Sequence, residues 1–278
     1  MKLDFLQTLV ESPLSRRDFA KKMGLTAGGL VGASMLGSTL LGGQIASARA
    51  QTSPSGSAAT YTDADILNFA LNLEYLEAEF YLFATTGQGL VHDGIVPSGD
   101  TTGPTTGGRM VPGIAKSWVA YITTELRKDE VSHVKFLRSA LGSAAAKKPT
   151  IKLDALGIGF NNLNEFLTLA RAFEDVGQSA YAGAAGLISN KTYLEAAARI
   201  LATEAQHSGA IRTHCIDKGL KVTPVDSVDI VPTPQTPFNN DQYGLTIART
   251  PSQVLHIVYG GGTGKGGFYP DGMNGNIK

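Results

Sequence analysis

The sequence predicts an all-α protein: a four-helix bundle with one long crossover and an irregular Gly/Pro-rich C-terminal tail. Three observations predict it. Four stretches carry apolar residues at helical spacing and are bounded by capping residues or glycines. The third and fourth are joined by only about two residues, which makes them antiparallel neighbours. The second and third are joined by about twenty residues, which at about 3.3 Å each reach roughly 60 Å. The second helix is only about 42 Å long at 1.5 Å per residue, so this linker can return along the whole bundle. Two helical hairpins joined by one crossover satisfy all three observations.

Composition narrows the partners. Formal net charge is zero at pH 7, so nothing in the overall balance points to nucleic acid or an anionic membrane. There is a single cysteine, Cys215, which excludes an intramolecular disulfide and reads as a buried helix-end residue.

Residues 1–50 read as an export signal. Ser15-Arg16-Arg17-Asp18-Phe19-Ala20-Lys21 resembles the twin-arginine motif, a weakly apolar run follows from Gly24 to Ala46, and Ala48-Arg49-Ala50 is a small-x-small cleavage site. Glycines and hydroxyl residues make the run poorly hydrophobic for a membrane span, so the mature chain is expected to start near Gln51 with no span. The expected location is periplasmic or otherwise extracytoplasmic.

Residues 51–61 are a Ser/Thr/Ala/Gly linker. The bundle is expected over 62–218. Its first helix opens at Thr62, with Asp65 completing a capping box, and closes at Gly87. Ile66, Phe69, Ala70, Leu73, Phe80 and Ala84 form its apolar stripe. Residues 87–112 are rich in Gly and Pro and should hold no regular element; His92 reads as an exposed loop residue. The second helix is expected from about Ile114 to Leu141, with Trp118, Ile122, Leu126, Val134 and Leu137 facing inward and Gly142 stopping it. The third starts near Asn162, with Glu165 three residues on, and runs to about Ile188. Asn190 caps the fourth, which runs to Lys218 and ends at Gly219. Residues 219–278 are expected to wrap the bundle, with Gln253–Tyr259 a short strand or buried strap. The stretch Gly260 to Gly267 fails as a phosphate-binding loop, because Tyr259 stands where the first Gly belongs and Gly266 follows Lys265 in place of Ser or Thr.

The chemistry lies in six residues, one set from each helix: Glu74; Glu130 with His133; Glu174; and Glu204 with His207. Glu-x-x-His puts a carboxylate and an imidazole on one helix face, one turn apart. Both donor types suit divalent Fe and Mn. All six fall near the middle of their helices and on apolar stripes, so the predicted topology brings them to one level. A carboxylate on a core stripe costs several kcal/mol unless it is paired or bound to a cation. Four carry a formal charge of −4, which two divalent ions cancel. Two Fe ions are the first expectation and two Mn ions the alternative. Glu130 and Glu204 are read as bridges, and Glu74, Glu174, His133 and His207 as terminal ligands. Glu77, Glu79, Glu125 and Asp129 are read as surface groups or supports of the ligands, with Glu77 the nearest alternative to Glu74.

Residues 70–81, AlaLeuAsnLeuGluTyrLeuGluAlaGluPheTyr, together with Gly267-Phe268-Tyr269-Pro270 and Gly272-Met273-Asn274-Gly275, resemble exported ferritin-like domain proteins of the desiccation-related kind. The spacing of Glu74 to Tyr81 is similar to that of a ligand and its nearby tyrosine in ferritins and rubrerythrins. The resemblance covers about residues 60–278 and implies a ferritin-like fold with a di-iron or di-manganese carboxylate centre. The leading expectation is a di-iron oxidoreductase that reacts with dioxygen or hydrogen peroxide in oxidative-stress or desiccation protection. Tyr81 is its candidate catalytic residue, as electron donor or as hydrogen-bond partner of a ligand. The alternatives are a manganese catalase-like protein and a metal-stabilised structural or binding protein. A homo-oligomer is compatible with each.

Overall fold

The computed structural model describes residues 61–99 and 102–278. The expected export signal and most of the expected linker lie outside the described residues. Five helices are present among those residues: α1 (Asp63–Thr86), α2 (Ala120–Leu141), α3 (Leu163–Ala184), α4 (Lys191–Asp217) and α5 (Pro251–Val258). None of the helices is long and apolar enough to cross a membrane.

α1 to α4 form the bundle. α1 packs mainly on α2, α3 mainly on α4, and α1 also meets α3 across the core. α1 and α2 run antiparallel: Asn68 reaches the backbone at Ala144 and Ala146, Tyr75 meets Arg138, and Thr85 meets Arg127. α1 is buried around nearly its whole circumference from Ile66 to Leu82, which makes it the central helix. α2 buries one face only, through Thr123, Leu126, Glu130, His133, Val134 and Leu137.

Local signals set most helix ends. Thr62 and Asp65 form the capping box on α1, and Gly87 takes the left-handed conformation that closes it. Asn162 caps α3 and Asn190 caps α4. Asp63 also accepts hydrogen bonds from the Ser189 and Asn190 amides, tying the start of α1 to the α3–α4 turn.

The structure corrects four expectations. The second helix does not start at Ile114. Ile114–Lys116 is a short 3-10 turn, Ser117 is extended, and the α-helix begins at Ala120. Trp118 therefore lies outside the helix and is 41% exposed, its ring set edge-on to His214 at 4.1 Å. Residues 87–112 are not wholly irregular, since β1 (Thr105–Thr106) pairs in parallel with β2 (Ile151–Lys152) of the crossover. Buried Lys148 clamps that junction, donating to Gly103 O at 2.6 Å and lying 3.4 Å from Glu79. Finally, Gln253–Tyr259, expected as a short strand or buried strap, is not a strand: Thr250 and Gln253 form a capping box around Pro251, and α5 follows, with Val254, Val258 and Tyr259 buried.

The segment 219–278 is held to the bundle by the Arg171–Asp229 ion pair and by arginine hydrogen bonds, within a wider network of buried charges. Asp175 on α3 receives Arg212 of α4 at 2.6 Å and Arg171 at 3.5 Å. Arg171 binds Asp229 at 2.6 Å, and Arg249 binds Asp226 through two nitrogens, each at 2.9 Å. The arginines also donate to the carbonyls of Thr223, Thr236 and Pro237, which supplies partners for an irregular backbone. Gly183 on α3 is required where this strap crosses, because any side chain there would strike the Arg249 backbone. Farther on, Tyr269 donates to Asn72 O at 2.7 Å and Phe268 packs edge-on against Phe173 at 5.0 Å.

Because Asp175 is the shared anion of two buried arginines, Asp175→Ala leaves uncompensated charge in the core. Urea denaturation is expected to show a loss of about 3–5 kcal/mol. A loss below about 1 kcal/mol, the range of an exposed ion pair, would contradict this role.

Candidate metal centre

The four bundle helices bring all six candidate ligands together in the core. Glu74 comes from α1, Glu130 and His133 from α2, Glu174 from α3, and Glu204 and His207 from α4. The four carboxylates have no solvent exposure. Donor atoms of Glu74, Glu130, His133 and Glu204 lie within 4.8 Å of one another, and so do those of Glu130, Glu174 and His207. Glu130 alone belongs to both groups, one oxygen toward each imidazole: Oε2 is 3.3 Å from His133 Nδ1 and Oε1 is 2.8 Å from His207 Nδ1. Glu130 therefore stands between the two groups. Glu204, the other expected bridge, falls in the first group only.

Several of these atoms lack ordinary partners. Glu130 Oε1, Glu174 Oε2, both Glu204 oxygens and His207 Nδ1 are buried without a hydrogen bond. Buried polar atoms in folded proteins are normally satisfied. Orphaned donors converging on two points between four helices fit cations, and the mixture of carboxylate oxygen and imidazole nitrogen fits divalent Fe or Mn. The ring orientation agrees. His207 Nε2 lies 3.0 Å from Asp129 Oδ2, and this carboxylate on the outer nitrogen leaves Nδ1 facing the cluster.

Titration behaviour reports the same frustration. Burial raises Glu74 to about 7, although His133 pulls it down. Burial and the neighbouring carboxylates hold Glu204 well above the usual range. For Glu130 burial also acts upward, but the His133 and His207 imidazoles beside it prevail and its pKa is lowered. Both imidazoles are raised despite burial, chiefly by Glu74 for His133 and by Glu174 for His207. Without metal, protons supply the positive charge that the cluster needs.

Two tyrosines cross-brace the terminal carboxylates. Tyr81 on α1 donates to Glu174 Oε1 on α3, and Tyr181 on α3 donates to Glu74 Oε1 on α1, both at 2.5 Å. Sequence reasoning singled out Tyr81 and overlooked Tyr181. The signal was available: Tyr81 follows Glu74 by seven residues, and Tyr181 follows Glu174 by seven. Of the two readings of Glu77 and Glu79, surface group or support of a ligand, the surface one falls, since they are 4% and 1% exposed. Asp129 does support a ligand, through His207, whereas Glu125 pairs only with exposed Lys128. Cys215 is buried with its thiol pushed up to about 11 by that burial, so it offers no reactive thiolate.

A family model described as a ferritin-like domain matches residues 62–216. Among curated proteins, the ferritin-like catalase Nec2 of Nesocodon mauritianus is 25% identical, over 77% of this chain and 84% of the relative. No solved structure matches the chain.

The sharing of Glu130 gives a stoichiometric expectation. Glu130→Ala should abolish uptake of both ions, whereas His207→Ala should remove one, read as Fe or Mn per chain by elemental analysis after reconstitution and gel filtration. Equal, partial losses in the two variants would exclude Glu130 as the bridge. Tyr181→Phe should weaken metal affinity by about ten- to a hundredfold, the usual cost of removing a partner that orients a ligand.

Proposed function

The chain belongs to the ferritin-like domain family, and from that premise we propose that it is a di-metal carboxylate protein whose centre reacts with hydrogen peroxide. The observation that carries the reading is the pair of converging donor groups sharing Glu130, with orphaned buried atoms in both. The relative named a ferritin-like catalase supports peroxide as the substrate ahead of dioxygen. Two Fe ions are proposed and two Mn ions remain the alternative. Such an ion pair, when bound, supplies reversible redox chemistry and Lewis acidity.

The protein's own part is to hold and to exclude. Glu130 spans the two positions, Glu74 with His133 and Glu174 with His207 fill the flanks, and Glu204 completes the first group. Tyr81 acts here as the hydrogen-bond partner of Glu174, fixing which oxygen faces inward. Burial and the Glu174 charge keep its pKa well above that of a free tyrosine, so it stays a donor. Phe80 and Phe166 pack against its ring at 5.1 and 6.0 Å and shield that side from water.

Export through the twin-arginine route to an extracytoplasmic location is also proposed, from Arg16-Arg17 and the Ala48-Arg49-Ala50 site. The twin-arginine route carries folded proteins, which suits a centre loaded before export. A role in oxidative-stress or desiccation protection follows if peroxide is removed there.

Protein metallated with Fe(II) or Mn(II) should evolve oxygen from hydrogen peroxide, measured with an oxygen electrode, and Glu130→Ala should not. Two bound ions per chain without peroxide consumption would overturn the peroxide reading. Metal content of natively exported protein decides between Fe and Mn. Replacing Arg16 and Arg17 together by Lys should leave unprocessed protein inside the cell, and unchanged secretion would remove the export proposal.

A further inference from the structure

A cavity of about 380 Å³ lies beside the centre, between α3, α5 and the segment 221–225, with α1 at its floor. Its walls are mainly apolar, from Leu73, Leu76, Val176 and Phe268. Its rim carries exposed Leu156, Lys221 and His256, so it opens to the surface. Two buried polar side chains line it, Arg171, whose guanidinium is held by Asp229 and Thr223, and Glu77 from α1. Glu77 is 4% exposed and lines the cavity, and it has no hydrogen-bond partner among the described residues.

Gly177 is what opens the cavity onto that carboxyl. A Cβ there would sit 2.7 Å from both Glu77 Oε1 and Glu204 Oε2, closer than real contacts allow. With no side chain at 177, the cavity reaches the edge of the carboxylate cluster. The volume then discriminates between occupants. A peroxide or dioxygen molecule is of the order of one or two waters, each roughly 30 Å³, and would leave most of the space unfilled. The volume instead falls at the lower end of small-molecule pockets, about 300–1,000 Å³. Mainly apolar walls with a few placed polar groups are the usual composition of such pockets.

We infer that this cavity is a binding site for an apolar organic molecule carrying one hydroxyl or N–H donor, which hydrogen-bonds to Glu77. A carboxyl accepts such a bond in either protonation state. The apolar body lies against Leu73, Leu76 and Val176, and the donor end lies at Gly177, beside Glu204. The centre thus has an organic ligand as its neighbour, at a site separate from the six donor residues. The inference stands on the cavity and does not depend on the peroxide reading.

The test uses 2-naphthol, fluorescent and with one hydroxyl, and 2-methylnaphthalene, which has the same body without the donor. Both are titrated into the full-length protein as purified, with and without bound metal. The expected result is saturable binding of 2-naphthol at one site per chain. 2-Methylnaphthalene should bind about tenfold more weakly, the share of one hydrogen bond. Glu77→Ala should remove that difference. Ala172→Trp, which fills the cavity, should abolish saturable binding while circular dichroism stays unchanged. Should that variant not fold, Thr168→Trp, one turn away on the same wall, replaces it. Absence of saturable binding, equal affinity for the two probes, or binding undiminished by a folded Trp variant would overturn the inference. Because no readout uses peroxide, a protein that binds 2-naphthol and leaves peroxide intact refutes only the proposed function, and the reverse result refutes only the cavity.

Discussion

Everything in this fold answers to one constraint: several carboxylates are buried at a single level of a helical core. Glu74, Glu130, Glu174 and Glu204 have no solvent exposure, and Glu77 lies beside them. Desolvating one carboxylate costs several kcal/mol, and like charges raise the cost of each additional one. A chain folds around such a group only if positive charge is available at that level. In the absence of metal the two imidazoles and added protons provide it, which is why both histidines are raised and Glu204 and Glu77 resist ionisation. A metal ion bound there would replace those protons, so that loading the centre and stabilising the fold would be one process.

The same constraint organises the helices as two related halves. Each half contributes one glutamate with a tyrosine seven residues on, and one Glu-x-x-His. Seven residues are close to two helical turns, so glutamate and tyrosine share a face. In the structure each tyrosine bonds the glutamate of the opposite half. α1 and α3 are therefore held in register by two crossed hydrogen bonds that flank the metal positions. This arrangement explains why the ligands lie at a common depth although α1 and α3 are separated in sequence by the whole of α2.

What was legible in the sequence was what local chemistry decides. Thr62, Gly87, Asn162 and Asn190 mark helix ends because a side chain or a left-handed glycine satisfies nearby backbone groups. The six donors were legible because carboxylates on apolar stripes are unusual. The start of α2 was not, since Val119 makes no side-chain cap and the preceding 3-10 turn carries similar apolar residues. The β1–β2 pair depends on residues nearly fifty apart and has no local signature. α5 was misread although Thr250-Pro251 and Gln253 announced a helix start; a short apolar run such as Gln253–Tyr259 suits a strand or a helix equally by pattern. Whether Glu77 lies at the surface or beside the ligands was not legible, because the helix that bears it is buried on every side and position on a stripe says nothing about exposure.

That last point bears on the role of the tail. A helix buried all round needs a cover on the face its bundle neighbours leave open, and the C-terminal segment supplies one for α1. Tyr269 bonds the Asn72 carbonyl, and the Asn72 side chain exchanges hydrogen bonds with the Asn274 backbone, two residues before Glu74. On α3, Arg249 reaches Ser179 and its backbone passes over Gly183, six residues after Gly177. The tail therefore fixes the outer faces of the two helices whose inner faces carry the crossed tyrosines. It also forms one wall of the cavity through Phe268 and Val258. A tail that only shielded the bundle would need apolar contacts alone. This one adds buried arginines, hydrogen bonds to the central helix and a cavity ending at Glu77, which makes it part of the environment of the centre.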